Sequence, residues 1–210
     1  MKKLLLCFFT VLFCMSLMGC IDVVQHITRK SDGTDQNTVC ITASKIALEA
    51  AARMSNEHIN YDELFEEYKF SETDLTEYKQ FSAKFTKIND AVNMGFLIDM
   101  NIDYKDKDVL KTINTGNIDF IPKYGKNMMS IYLGSLHDNS ILDDEMSLFL
   151  AGNKYRLLIS KSCMPTVGRV FVKTAHHSME MTYLDLYDEY LIEIPISFLF
   201  QDAVTIELYR

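Results

Sequence analysis

Residues 96–104 read FLIDMNIDY, and this stretch decides the fold class because its apolar residues recur at every second position. Phe96, Ile98 and the apolar residues at 100, 102 and 104 alternate with Asp99, Asn101 and Asp103. A period of two is typical of a β-strand that has one buried and one solvated face. The stretch therefore predicts a half-buried strand.

Similar short segments lie on both sides of it. Residues 21–28 and 38–43 form two β-branched segments around the turn cluster 31–35, and residues 151–154 read as a hairpin turn. Further predicted strands are 109–113, 118–121, 128–133, 146–150, 155–160, 169–173, 179–184, 190–194 and 204–209. About ten short strands at this spacing predict a mainly β fold, either a β-sandwich or a partly open barrel.

Residues 44–93 predict a helical insertion of two to three helices near the start of this fold. Residues 44–54 are rich in alanine, and Asn60 and Ser71 each precede an acidic residue by three positions, as helix caps do. An apolar stripe then follows at spacings of three and four: Tyr78, Phe81, Phe85, Ile88 and Val92. Such a stripe favours a helix that packs on the core over one that lines a ligand groove.

The N-terminus predicts an export signal. Lys2 and Lys3 precede an almost uninterrupted apolar run at residues 4–17. A basic start followed by a short apolar segment is typical of a secretory signal. The run is too short for a membrane-spanning helix, which needs about 20 apolar residues.

The signal ends in Leu17-Met18-Gly19-Cys20, which resembles the lipobox of bacterial lipoproteins. The resemblance implies cleavage after Gly19 and acylation of Cys20 by chains such as palmitate. Residues 1–19 are then the signal peptide and residues 20–210 a single domain, attached to the membrane through the lipid on Cys20. The alternative is an ordinary secretory signal with a chance cysteine.

Residues 20–26 and 35–39 resemble uncharacterised lipoproteins of spirochaetes, which implies an envelope with two membranes. Ile21 follows the cysteine in place of the aspartate that resembles an inner-membrane retention signal in enteric bacteria. We therefore expect the outer membrane. Because the first predicted strand begins at residue 21, the domain should lie close to the bilayer.

The processed chain is acidic. It carries 19 basic and 29 acidic residues, a formal charge of −10. Nucleic acids and anionic lipid surfaces both require basic patches, so neither is expected as a partner.

Two cysteines, Cys40 and Cys163, remain after processing and acylation of Cys20. Export exposes them to an oxidising compartment, where they could form one disulfide that closes a long loop. The alternative is a pair of buried free thiols.

Catalytic and cofactor motifs are missing: the sequence contains no G-x-S-x-G, H-E-x-x-H, Walker loop or G-x-G-x-x-G. His176 and His177 are adjacent, and in a strand they would point to opposite faces and could not share a metal. Three acidic clusters lack the pattern of a calcium loop and favour solvated turns: Asp103, Asp106 and Asp108; Asp143, Asp144 and Glu145; Asp185, Asp188 and Glu189. We predict no catalytic residue, metal or cofactor.

These observations favour a membrane-anchored envelope lipoprotein with a non-enzymatic domain that binds a protein or small molecule or has a structural role. The alternative is an envelope hydrolase whose site is assembled from dispersed carboxylates and histidines. A binder needs an exposed apolar or aromatic patch, whereas an enzyme needs a pocket where titratable groups converge.

Overall fold

The computed structural model describes residues 21–54, 58–61, 63, 78–134 and 152–210. Within these ranges the chain forms twelve strands in two sheets and three helices. The mainly β class predicted from the alternation at residues 96–104 is confirmed.

The larger sheet has seven strands in the described residues. They are β1 (Ile21–Arg29), β2 (Asp35–Ser44), β3 (Lys84–Asn89), β4 (Asn93–Ile102), β7 (Lys154–Ser160), β10 (Tyr183–Asp185) and β11 (Glu189–Pro195). Their order across the sheet is β10-β11-β7-β1-β2-β4-β3. All neighbours are antiparallel except β1 and β7, which run parallel with Val23 opposite Tyr155.

The smaller sheet is antiparallel throughout. Its strands are β5 (Pro122–Tyr124), β6 (Met128–Leu133), β8 (Arg169–Lys173), β9 (Ser178–Met181) and β12 (Val204–Tyr209), in the order β5-β6-β12-β8-β9. The helices are α1 (Lys45–Met54), α2 (Lys107–Thr115) and α3 (Ser197–Gln201). One hydrophobic core holds residues from both sheets, among them Ile192 of β11 and Ile206 of β12, as in a β-sandwich.

Period-two burial explains why most of the predicted strands form. On β12, Val204, Ile206 and Leu208 are fully buried, and the residues between them are half-buried. The predicted strands at 128–133, 155–160, 169–173, 190–194 and 204–209 are confirmed by β6, β7, β8, β11 and β12. The two strands predicted before residue 44 are confirmed by β1 and β2.

The prediction of a helical insertion at 44–93 is wrong for the last part of that range. Helix α1 forms at its start, but residues 84–89 are strand β3, which pairs with β4 along its whole length. Pairing places Phe85 opposite Ile98, where it packs on the core, so the interstrand hydrogen bonds of β4 prevail over the helical spacing.

Two of the strands predicted after β4 do not form. Residues 109–113 lie in helix α2, where Asp106 caps the first turn and Val109 and Ile113 are buried one helical turn apart. Residues 118–121 form a single bridge, from Asp119 to Tyr132, and not a strand.

Several predictions fall outside the described residues: the signal at 1–19, Cys20, the strand at 146–150, most of the helices after Asn60 and Ser71, and the first residue of the turn at 151–154. In the part of the chain that is described, no helix has the length and apolar character needed to cross a bilayer.

Candidate functional site

A buried ion pair closes the hairpin between β1 and β2. Arg29 ends β1 and lies opposite Asp35, the first residue of β2. Arg29 donates from Nε to Asp35 Oδ1 at 2.8 Å and from Nη2 to Oδ2 at 3.2 Å. The Asp35 carboxylate is fully buried, whereas a third of the Arg29 side chain reaches solvent. The hydrogen bond to Asp35 holds the pKa of Arg29 above its usual value, so the guanidinium stays charged.

Two tyrosines lie next to this ion pair, Tyr124 from the smaller sheet and Tyr104 from the segment after β4 of the larger sheet. Tyr124, at the end of β5, donates its hydroxyl to Asp35 Oδ2, and the Arg29 guanidinium lies 4.8 Å from the Tyr124 ring centroid. Tyr104 packs edge to face on Tyr124 at 5.1 Å and donates to the Pro122 carbonyl at 2.7 Å. Burial raises the pKa of both phenols far above the usual tyrosine range. Both hydroxyls therefore remain protonated donors.

Helix α2 supplies the apolar wall. Leu110, Ile113 and Asn114 are spaced three and four residues apart, so they share one face. Asp106 fixes the start of the helix because its Oδ1 accepts hydrogen bonds from the backbone N–H of Asp108 and Val109. Ile113 is buried, whereas Leu110 is 40 % exposed and available to a ligand.

Cys163 and Arg210 complete the surroundings. Cys163 follows β7, is buried, and donates its thiol to the Ile27 carbonyl at 3.7 Å. Burial first, and then the negative charge of Asp35, raises the pKa of Cys163 to about 11. Arg210 follows β12, and its backbone N–H donates to the Asn127 carbonyl at 3.0 Å.

Together these groups line a cleft of about 460 Å³, which we call the distal cleft. Its walls are Arg29, Gly33, Tyr104, Leu110, Ile113, Asn114, Tyr124, Gly125, Cys163 and Arg210. It lies at the Arg29 end of β1. Arg29 lies eight positions after Ile21 on β1, so the cleft is about 26 Å along the strand from the residue that follows Cys20.

A network of buried amides joins the larger sheet to residues 118–121, which bridge to β6 of the smaller sheet at Asp119 and Tyr132. Gln25 donates to Asn37 Oδ1 at 2.8 Å and to the Phe120 carbonyl at 2.6 Å, and Asn37 donates to the same carbonyl at 2.8 Å. Tyr155 donates to Gln25 Oε1. Phe120 has a positive φ of 64°, which a non-glycine residue adopts when its surroundings fix it. Since Phe120 lies four residues before Tyr124, the network helps to position the cleft wall.

The predicted disulfide between Cys40 and Cys163 is not formed, and both residues carry free thiols. Cys40 is half-buried and pairs with Val24, and its side chain lies on the outer face of the larger sheet, near Asp22. Cys163 lies on the inner side of that sheet, near Asp35. Side chains on opposite faces of a sheet cannot reach each other without moving the backbone. Of the alternative, a pair of buried free thiols, the structure shows both thiols free but only Cys163 buried.

His176 and His177 lie in the exposed turn between β8 and β9. Their backbone N–H groups donate to Thr174 Oγ1, and both side chains line a second cleft of about 380 Å³ together with Phe198 and Asp202. No group of three or more histidine, cysteine or acidic residues in the described ranges could hold a metal ion.

The described acidic clusters have structural partners. Asp103 accepts the Lys105 backbone N–H at 2.9 Å, next to the Asp106 cap. Lys161 pairs with Asp185 at 2.6 Å, and His26 pairs with Glu189 at 2.6 Å on the outer face of the larger sheet. Asp143, Asp144 and Glu145 lie outside the described residues.

Comparisons of the chain with protein-family models, with curated proteins and with solved structures give no significant match. The site must therefore be interpreted from its own geometry. Sequence reasoning did not identify the distal cleft. The available signals were the turn cluster between Arg29 and Asp35 and the two polar residues, Gln25 and Asn37, at inward positions of their strands.

Proposed function

We propose that the protein is a lipid-anchored envelope protein whose domain binds a small ligand in the distal cleft without transforming it. The signal-like N-terminus and the lipobox resemblance at Cys20 support the anchor, and they favour the cell envelope, with the outer membrane as the expected location. The larger sheet begins at Ile21, one residue after Cys20, and the distal cleft lies at the other end of β1. Acylation of Cys20 would therefore leave the cleft facing away from the bilayer.

The observation that carries the proposal is that the polar groups around the cleft are held by hydrogen bonds to the protein itself: Arg29 and Tyr124 donate to the buried Asp35 carboxylate, and Tyr104 donates to the Pro122 carbonyl. The pKa values of Arg29, Tyr104, Tyr124 and Cys163 are all raised, so each group holds its proton throughout the neutral range. A general acid or base works best when its pKa lies near the operating pH. Groups with permanently fixed protons instead provide hydrogen-bond donors and a positive charge, which favours binding over proton transfer.

The composition of the walls indicates the class of ligand. Leu110 and the two tyrosine rings offer apolar and aromatic contacts, and Arg29 and Arg210 offer cationic groups. Arg29 is already paired with Asp35, so Arg210 is the better placed of the two to meet an anionic or carbonyl group. A small molecule with an apolar body and one acceptor group fits this arrangement.

An envelope hydrolase remains the second candidate. It rests on the His26–Glu189 pair, because a histidine next to a carboxylate is part of many hydrolytic sites. In the described part of the chain His26 contacts Glu189 through Nε2, and no hydrogen bond joins it to a serine or cysteine nucleophile.

The experiment compares three lipoproteins purified from solubilised envelopes: wild type, Leu110→Trp, which narrows the cleft, and Lys111→Trp. Lys111 is exposed on the same helix but does not line the cleft, so it is the matched control. Small molecules that copurify are identified by mass spectrometry. We expect a compound that is enriched with wild type and Lys111→Trp and lost with Leu110→Trp.

Equal recovery from all three proteins would contradict binding in the cleft. Turnover of a chromogenic ester or glycoside by wild type, abolished by His26→Ala and kept by Leu110→Trp, would replace the proposal with the hydrolase.

A further inference from the structure

Among the described residues, two large apolar side chains are exposed at the end of the larger sheet where β1 begins, which we call the anchor end. Ile46, in the first turn of α1, is 60 % exposed, and Val92, in the turn between β3 and β4, is 50 % exposed. The Lys45 backbone N–H donates to the Val92 carbonyl at 2.8 Å, which fixes the two segments side by side. The anchor end therefore presents a small apolar surface that the core does not use.

The position of this surface relative to Ile21 follows from the strand register. Ile21 lies opposite Ala43 on β2, and Ser44 lies opposite Asn93 on β4, directly before Lys45 and after Val92. Two strand spacings separate β1 from β4, so Val92 lies on the order of 10 Å across the sheet from Ile21. Both exposed side chains share the end of the sheet with the start of the chain's first strand.

The connection between this end and Cys20 is a single peptide bond. Ile21 is the first residue of β1, and its backbone N–H donates to Asn153 Oδ1 at 3.3 Å. Consecutive Cα atoms are about 3.8 Å apart, so an acylated Cys20 has no slack with which to hold the domain away from the lipid. The lipid surface is thus within reach of every group at the anchor end.

The described charges near this end are balanced by one another. Lys154 pairs with Glu193 at 2.6 Å, and Arg156 pairs with Glu193 at 3.1 Å and with Asp22. Lys45, next to Ile46, donates from Nζ to the Asp90 carbonyl and lies close to the Asp90 carboxylate. Attraction to anionic headgroups needs an excess of basic residues, which this arrangement lacks. Contact with lipid would therefore rest on apolar side chains and should not depend on lipid charge.

We propose that the anchor end docks directly on the bilayer, with Ile46 and Val92 inserted at the level of the headgroups and the first acyl carbons. This inference rests on the acylation of Cys20 proposed above. It adds a fixed orientation to the anchored domain: the larger sheet stands on the membrane, and the distal cleft points away from it. Apolar side chains that insert at an interface are typically buried about 5–10 Å into the boundary.

The absence of tryptophan from the sequence allows a direct test. Three single-tryptophan lipoproteins are made, Ile46→Trp, Val92→Trp and Leu184→Trp, and reconstituted with their lipid into phosphatidylcholine vesicles. Leu184 is the matched control because it is 59 % exposed and lies on the edge strand β10. Its pairing through Leu191 and Leu158 puts it level with His26, five positions along β1 from Ile21. Emission is recorded with ordinary lipid and with lipid brominated near the headgroup end of the chains.

We expect blue-shifted emission and a loss of intensity in brominated vesicles for Ile46→Trp and Val92→Trp, and neither effect for Leu184→Trp. Adding phosphatidylglycerol should leave these differences unchanged. Water-like, unquenched emission from both anchor-end variants would overturn the docking, as would equal quenching of Leu184→Trp.

Intact mass and vesicle flotation of the same samples separate the two proposals. Acylated protein that floats with vesicles while Ile46→Trp and Val92→Trp stay unquenched overturns the docking and leaves the anchor standing. Protein without acyl mass that does not float overturns the anchor, and the docking with it.

Discussion

Replacement of Asp35 by alanine tests the buried ion pair that organises the distal cleft. The substitution removes the acceptor of three hydrogen bonds: two from Arg29, at 2.8 and 3.2 Å, and one from the Tyr124 hydroxyl. Removing one partner of a buried pair costs about 3–5 kcal/mol because the other charge is left without compensation. A third of the Arg29 side chain reaches water, which reduces that penalty, so we expect a loss of about 3 kcal/mol.

The assay is urea unfolding of the purified protein in mild detergent, monitored by far-ultraviolet circular dichroism. The matched variants are Arg29→Met, which keeps the aliphatic stem, and the double variant. Because Arg29→Met removes the cation that Asp35→Ala leaves unpaired, the double variant should be more stable than the sum of the single losses predicts, by about 0.5–3 kcal/mol. A loss below about 1 kcal/mol for Asp35→Ala would contradict a buried ion pair, since one ordinary hydrogen bond already contributes about 1 kcal/mol. Strictly additive losses would contradict the coupling between Arg29 and Asp35.

Three further predictions concern the thiols and one glycine. Alkylation of the unfolded mature protein should find two thiols, Cys40 and Cys163, with or without reductant; an increase after reduction would restore the disulfide. Burial raises the pKa of Cys163 from 9.0 to about 11, so its contribution to stability is complete below pH 9 and lost as the pH rises through 11. Urea titrations should show the free energy of unfolding fall by about 2–3 kcal/mol over this pH range. An equal fall in Cys163→Ala would show that the Cys163 thiol is not its cause. Gly95→Ala should lower the stability by about 1–3 kcal/mol in thermal unfolding, because the added Cβ would lie 2.0 Å from the Ile41 carbonyl oxygen. Gly116→Ala is the control, since its added Cβ meets nothing closer than 3.3 Å. Equal losses of stability in the two variants would show that the spacing between β2 and β4 is not limiting.

The sequence was informative where burial alternates strictly. On β7 and β12 every second residue is buried by the facing sheet, so the period-two pattern alone locates these strands. The sequence pattern did not distinguish a helix from a strand where apolar residues are few. Val109 and Ile113 fit a short strand by composition, but their four-residue separation and the Asp106 cap were the signals of the helix that forms.

Residues 84–89 show the limit of local pattern. Phe85 and Ile88 are three residues apart, which fits a helix, yet β4 offers an unpaired edge, and pairing with it satisfies the backbone of the whole segment. The free edge of β4 exists only when the larger sheet forms, so the sequence of residues 84–89 alone does not reveal it. Tertiary pairing therefore decided the structure against the local spacing.

The distal cleft could be predicted only in part for a similar reason. The turn cluster after Arg29 predicts a hairpin, and a hairpin places Arg29 opposite Asp35. Tyr124 and Arg210 reach the same place through the order β5-β6-β12 of the smaller sheet, which depends on contacts between distant parts of the chain. Sequence patterns of short range contain no information on that order.

Acylation of Cys20 underlies both the proposed anchor and the proposed docking, and it is tested by incorporation of labelled palmitate and by detergent phase partitioning of wild type beside Cys20→Ala. Only Cys20 follows a small residue at the end of the apolar run, so Cys7→Ala and Cys14→Ala serve as controls within that run. Acylation at Cys20 predicts palmitate label and detergent partitioning for wild type and both controls, and loss of both for Cys20→Ala. A Cys20→Ala protein that still takes up palmitate and partitions with detergent would contradict it.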